Sequence, residues 1–241
     1  MKRIIFLYCL IIISSASFAQ QITTPYGFPV KPGSEKWQAF KSVDDMYSAC
    51  QIPDGILSNL STEALIQTCL DYPAAGVLVI HNTPQQGFNE WKERFNGINE
   101  LYKRKDASQE LLSLYKNFNI DAFNNLTTDY SKGEFSFRLK RMEIIIVQDS
   151  LLNKLTNSQL QEFLRRCITN YKLMEKNEDF GFSSMESTGR IICKIASILD
   201  TESLTNQMKS LAIQEFIKTG LLSNREIFEG VINVMKKTTD E

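Results

Sequence analysis

The chain has 241 residues, 43% of them hydrophobic, and 27 Lys and Arg stand against 28 Asp and Glu for a net charge of −1. So even a balance argues against nucleic acid as a bulk partner, which needs concentrated positive charge. Eleven glycines and six prolines are too few for a disordered protein, and the length suffices to bury a core without metals or covalent staples.

Met1-Lys2-Arg3 forms a short basic stretch, Ile4 to Ile13 an apolar run, and Ser17-Phe18-Ala19 places small residues at the −3 and −1 positions before Gln20. That order predicts a secretory signal peptide over 1–19, cleaved after Ala19. Ten apolar residues are too few for the roughly 30 Å of a bilayer, so a retained anchor is disfavoured. Phe6-Leu7-Tyr8 lacks the small residues that a lipidation site at Cys9 needs. The mature chain then has 222 residues and a charge of −3, since Lys2 and Arg3 leave 25 basic against 28 acidic residues. It carries no apolar run long enough to span a membrane. A periplasmic or extracellular location follows.

Residues 20–33 contain three prolines and no periodicity, which predicts an extended lead-in. Ser34 caps a short helix with Trp37 and Phe40. Ser42 and Ser61 open helices near 43–50 and 62–71. Thr83-Pro84-Gln85-Gln86 is a capping box with proline at the first helical position, opening 84–95. The continuous apolar run 74–81 fits a buried strand or a buried helix; Pro73 and the flanking helices favour helix. Phe88, Trp91 and Phe95 share one face, and Asn96-Gly97 is expected to end that helix through glycine at the position after the cap. A helix from Ile98 to Lys105 follows, and then Asp106 capping 107–118.

Residues 119–132 are rich in Asn, Thr and Asp and mark the best boundary between two halves. Beyond it, helices are predicted over 134–150, 157–176 behind the Thr156…Gln159 box, 184–199, and 201–219 stopped by Gly220. A last one is expected behind Ser223-Asn-Arg-Glu226. The predicted fold is all-α, an irregular array of antiparallel helix hairpins, α-solenoid-like or a compact helical bundle. It is either one domain over 34–241 or two packed halves, 34–118 and 134–238.

The mature chain keeps Cys50, Cys69, Cys167 and Cys193. Their number is even and the expected compartment permits disulfides. Cys167 and Cys193 stand thirteen residues either side of Phe180, so an antiparallel hairpin sets them at one height. Cys50 with Cys69 is the complementary pair. The alternative is four separate buried thiols.

No constellation demands chemistry, and no catalytic, cofactor or metal residue is assigned. His81 is the sole histidine and falls at a helix end, where a structural role outweighs that of a general base. Glu186-Ser187 resembles the catalytic acid of lytic transglycosylases, but the Gly-Leu-Met-Gln that should follow is absent. Glu186 is therefore expected to be a first-turn carboxylate at a helix start. Lys103-Arg104-Lys105, Arg138-Leu139-Lys140-Arg141 and Arg165-Arg166 read as solvated faces. Gly-rich phosphate loops and Cys-x-x-Cys, His-Glu-x-x-His and Gly-x-Ser-x-Gly motifs are absent.

At Pro32-Gly33-Ser34-Glu35-x-Trp37, Gln51-Ile52-Pro53, Ser61-Thr62-Glu63-Ala64-Leu65, Tyr72-Pro73, Gln86-Gly87-Phe88 and Phe95-Asn96-Gly97, the chain resembles a group of uncharacterised secreted proteins of Bacteroidetes-type bacteria. The resemblance covers residues 30–118 and implies export but no activity. The expectation is an exported helical protein that binds another protein or an envelope polymer. An envelope-acting hydrolase using Glu186 or His81 is the alternative.

Overall fold

A computed structural model describes residues 21–199 and 208–237. The expected signal peptide and the start of the expected 201–219 helix lie outside the described residues. The fold is all-α: the chain is built of short helices in the N-terminal half and longer ones after residue 128, and the described residues contain no strand. In chain order the α-helices are α1 (Glu35–Gln38), α2 (Val43–Ala49), α3 (Asp54–Leu57), α4 (Thr62–Leu70), α5 (Pro84–Arg94), α6 (Asn96–Lys103), α7 (Ala107–Asn117), α8 (Asp129–Ile146), α9 (Asp149–Leu152), α10 (Asn157–Glu175), α11 (Gly181–Ile198), α12 (Leu211–Thr219) and α13 (Arg225–Lys237).

The caps form as their residues require. Ser34, Ser42, Ser61 and Ser210 each accept from the backbone N–H three residues on. Thr83 and Thr156 close full capping boxes with Gln86 and Gln159. Gly220 ends α12 in the left-handed region, φ 77°.

Elsewhere long-range packing overrides the local signal. Gly97 does not terminate α5. Phe95 is the extended junction, and Gly97 is the second residue of α6. A Cβ there would lie 2.4 Å from the Phe95 ring, so the glycine serves close packing and not a left-handed cap. Asp106 makes no cap bond; its carboxylate accepts from Thr62 Oγ1 at 2.9 Å instead. The start of α8 is Asp129 and not Glu134, because Thr128 and Ser131 form a capping box of their own. Helix α11 begins at Gly181, φ 60°, three residues before Ser184 and without a side-chain cap. Asn224, not Ser223, accepts from Ile227 N at the start of α13. The ambiguous 74–81 run is a 3-10 helix over Ala75–Val79, after which Ile80 lies 71% exposed.

Helices α10 and α11 form the expected antiparallel hairpin, and α11 also packs on α8, α12 and α13. In turn α8 touches α4, α5 and α7, so the two long helices join the halves. The end of α8, from Arg141 to Ile146, is buried on every side, which is why its sequence there shows no clean helical stripe. Phe118, Phe123, Phe135 and Phe180 pack ring against ring across the 119–132 segment. One cluster of buried apolar side chains therefore runs through both halves.

Cys50, Cys69, Cys167 and Cys193 are all buried free thiols, so neither expected disulfide is present in this structure. The hairpin places Cys167 and Cys193 in the α10–α11 layer, but Cys167 interacts with the Tyr115 hydroxyl of α7. Burial pushes the Cys193 thiol up to about 12 and the other three upward as well.

Candidate functional site

Both candidate sites are built on α8. Its first three turns form one wall of a groove of about 750 Å³, with Tyr130, Phe137 and Arg138 among the lining. The lead-in forms the other wall with Pro25, Tyr26 and Phe28. Three anchors fix this proline-rich segment. Ile22 makes an isolated parallel bridge to Leu60, donating to Asn59 O and accepting from Ser61 N, each at 2.8 Å. Tyr26 N donates to Thr68 Oγ1 at 2.9 Å. Phe28 is buried edge-on against Tyr72, which stacks on Phe95 at 4.1 Å between centroids. On the opposite wall Arg138 donates to Asp71 and Gln67, and Arg141 lies 4.7 Å over the Phe137 ring. Arg138 and Arg141 are thus both paired, with Asp71 and Glu134. Tyr130, 80% exposed, stands at its edge.

The second site is a cleft between the C-terminal half of α8 and α11. Glu143 is 1% exposed at its base. It accepts from the Tyr115 hydroxyl at 2.9 Å, from Thr188 Oγ1 at 2.5 Å and from Ser187 Oγ. Burial raises its carboxyl to about 7; the three hydroxyl bonds pull the other way and lose. Lys140, Glu186 and Arg190 line the same cleft. Its interior is about 30 Å³, room for two or three water-sized groups.

Glu186 is the sixth residue of α11 and so lies beyond the first turn where it was expected. It is half-buried, and burial raises its carboxyl. His81 is elsewhere, with Nε2 2.8 Å from Glu90 Oε2 in a shallow depression with Asn82, Gln86 and Asn89. The structure thus joins Glu186 to Glu143, which sequence reasoning misses, and separates both from His81. Glu143 carries no local signal: it sits among Met142, Ile144 and Ile145 in a run whose apolar neighbours alone hint at burial.

The basic clusters are not simply solvated faces. Arg104 donates to Leu57 O and Leu60 O at the end of α3, at 3.2 and 3.1 Å. Arg141 donates to Leu70 O, the last carbonyl of α4, and Arg166 to Phe118 O after α7 at 2.8 Å. Arg190 does the same for Ile217 O and Lys218 O of α12, at 3.0 and 2.9 Å. Four guanidinium groups therefore satisfy carbonyl ends that α-helices leave open.

Among the described residues no group of three or more His, Cys, Asp or Glu could hold a metal ion, and no helix is long and apolar enough to cross a membrane. Compared with known proteins, the chain matches no family model, no curated protein and no solved structure.

Proposed function

We propose that this protein is an exported, non-catalytic binding protein of the cell envelope, whose groove between the lead-in and α8 holds an extended, apolar segment of a partner polypeptide. The observation that carries this reading is the groove lining: Pro25, Tyr26, Phe28, Tyr130 and Phe137, with Arg138 and Arg141 already paired. Tyr and Arg are the side chains that dominate protein interfaces, and aromatic walls stack on extended, proline-containing chains. The volume lies within the range of ligand sites. Export rests on the Met1–Ala19 pattern and on the resemblance over residues 30–118 to secreted proteins.

The test is selection of a random-peptide display library on the purified protein, with Tyr130→Ala and Arg138→Ala variants as controls. Peptides rich in Pro or aromatic residues that bind the wild type and lose about tenfold on both variants support the reading. It fails if no peptide distinguishes wild type from variants, or if envelope glycan competes for the groove and peptides do not.

A hydrolase reading draws on one observation, the presence of Glu143 and Glu186 in a single cleft. Two carboxylates with unequal environments are the pattern of general acid–base work. Against it, the cleft interior has no room for a polymer backbone. Hydrolysis of an envelope polymer that Glu186→Gln abolishes in a folded variant would replace the binding proposal.

A further inference from the structure

Burial along the lead-in has period two. Phe28 and Val30 are buried and Tyr26 is half-buried, whereas Pro25, Gly27, Pro29 and Lys31 are exposed. An extended chain turns alternate residues to opposite sides, so packing of the even positions on the core sets the odd ones toward solvent. The backbone at Lys31 is held from both ends. Val30 is buried before it, and Lys31 O accepts from Ser34 N and Ser34 Oγ, at 3.1 and 2.7 Å, just before α1. Pro32 and Gly33, φ 85°, between them are the residues a type II turn takes at its centre.

The charged residues of the groove differ in what they are free to do. Five belong to its lining. Arg138 pairs with Asp71 and donates to Gln67, and Arg141 pairs with Glu134 and donates to Leu70 O. Lys31 is the fifth. Among the described residues its ammonium makes neither an ion pair nor a hydrogen bond; only its carbonyl is bonded. The lining thus carries one cation in excess, on a backbone already in place.

We infer that the groove selects partner segments with an Asp or Glu close to the apolar residues it holds, and that Lys31 binds that carboxylate. This selection presupposes that the groove is a peptide site. Aromatic walls hold a segment without regard to charge. An unpaired cation adds a preference for one sign, and no internal pair has to be broken first. From Tyr26 to Lys31 is five residues, at most about 17 Å of extended chain. A bound segment in polyproline conformation, at about 3.1 Å per residue, covers that distance in about five positions. The acidic residue therefore falls within about five positions of the proline or aromatic residue that rests on Tyr26. A basic residue there would meet Lys31 with like charge.

Random-peptide display on wild type and on Lys31→Glu tests this, with the peptides fused through their C-termini so that no free terminal carboxylate is present. The Lys31 side chain makes no bond, so the variant should keep the wild-type circular dichroism. Peptides that wild type selects and Tyr130→Ala releases should be enriched in Asp and Glu, and Lys31→Glu should select Lys and Arg at those positions. One selected peptide, synthesised with an amide end, should lose about three- to fivefold in affinity when its acidic residue is replaced by the amide, the scale of an exposed pair. That loss should vanish in about 1 M salt, where the screening length is about 3 Å. The same acidic enrichment on Lys31→Glu, or Tyr130-dependent peptides without a charge preference, overturns the inference and leaves the groove a peptide site. If neither protein selects a Tyr130-dependent peptide, the groove is no peptide site and the selection by Lys31 falls with it.

Discussion

Tyr115 of α7 donates its hydroxyl to the buried Glu143 carboxylate of α8 at 2.9 Å. Ser187 and Thr188 of α11 approach the same carboxylate, so one side chain ties three helices together. Three neutral donors do not repay the cost of burying a charge, which is why the carboxyl stays near 7.

The first prediction concerns pH. The native state holds the Glu143 proton up to about pH 7, whereas the unfolded chain releases it near the ordinary carboxyl value of 4.5. The unfolded state therefore binds fewer protons between those limits, and stability falls as pH rises. This contribution is complete below about pH 4.5 and lost by about pH 7, with a slope of up to about 1.4 kcal/mol per unit. Urea unfolding across that window should show wild type losing stability relative to Glu143→Gln as pH rises, since the amide does not titrate. A pH-independent difference would refute the assignment.

Removing one donor gives a second prediction. Tyr115→Phe should destabilise by about 1 kcal/mol and move the Glu143 transition further up, since one of the bonds favouring the carboxylate is gone. Side-chain carboxyl NMR shifts against pH report the second effect separately.

A third prediction tests the helix-end arginines. Arg141→Met keeps the apolar stem but leaves Leu70 O at the end of α4 without its donor, at a cost of about 1–3 kcal/mol. Arg165→Met is the surface comparison and should stay within about 0.5 kcal/mol. Equal midpoints in urea for both variants would remove the capping role.

Two glycines predict opposite signs. Gly97→Ala drives a methyl into the Phe95 ring and should cost about 1–3 kcal/mol. Gly133 is exposed within α8, and a methyl carbon placed there would meet nothing within 4 Å, so Gly133→Ala should stabilise by about 0.5–1 kcal/mol. Thermal unfolding of both variants checks this.

The thiols provide a fifth prediction. Cys50, Cys69, Cys167 and Cys193 are buried with raised pKa values, so native protein should resist iodoacetamide and denatured, unreduced protein should take it up at all four. Uptake at only two sites after denaturation would show that one of the expected pairs has formed.

What the sequence determined by itself was local. Ser42, Ser61, Thr83 and Thr156 start helices because a side-chain oxygen reaches an N–H only three residues away, and Gly220 stops one because only a residue without Cβ rests easily at that φ. The Phe88–Trp91 face was legible for the same reason, since residues three apart on a helix share one side, whereas Phe95 is buried from an extended position after the helix. Tertiary structure alone decided what crosses between helices. Asp106 has the sequence of a cap, but Thr62, 44 residues away, supplies another donor. Glu143 became a buried, three-donor carboxylate only when α7 and α11 closed on it, and Arg190 became a helix-end donor only when α12 packed against α11. Hydrogen bonds within a turn are written in neighbouring residues, whereas desolvation and charge separation depend on surfaces that meet only after the chain has packed.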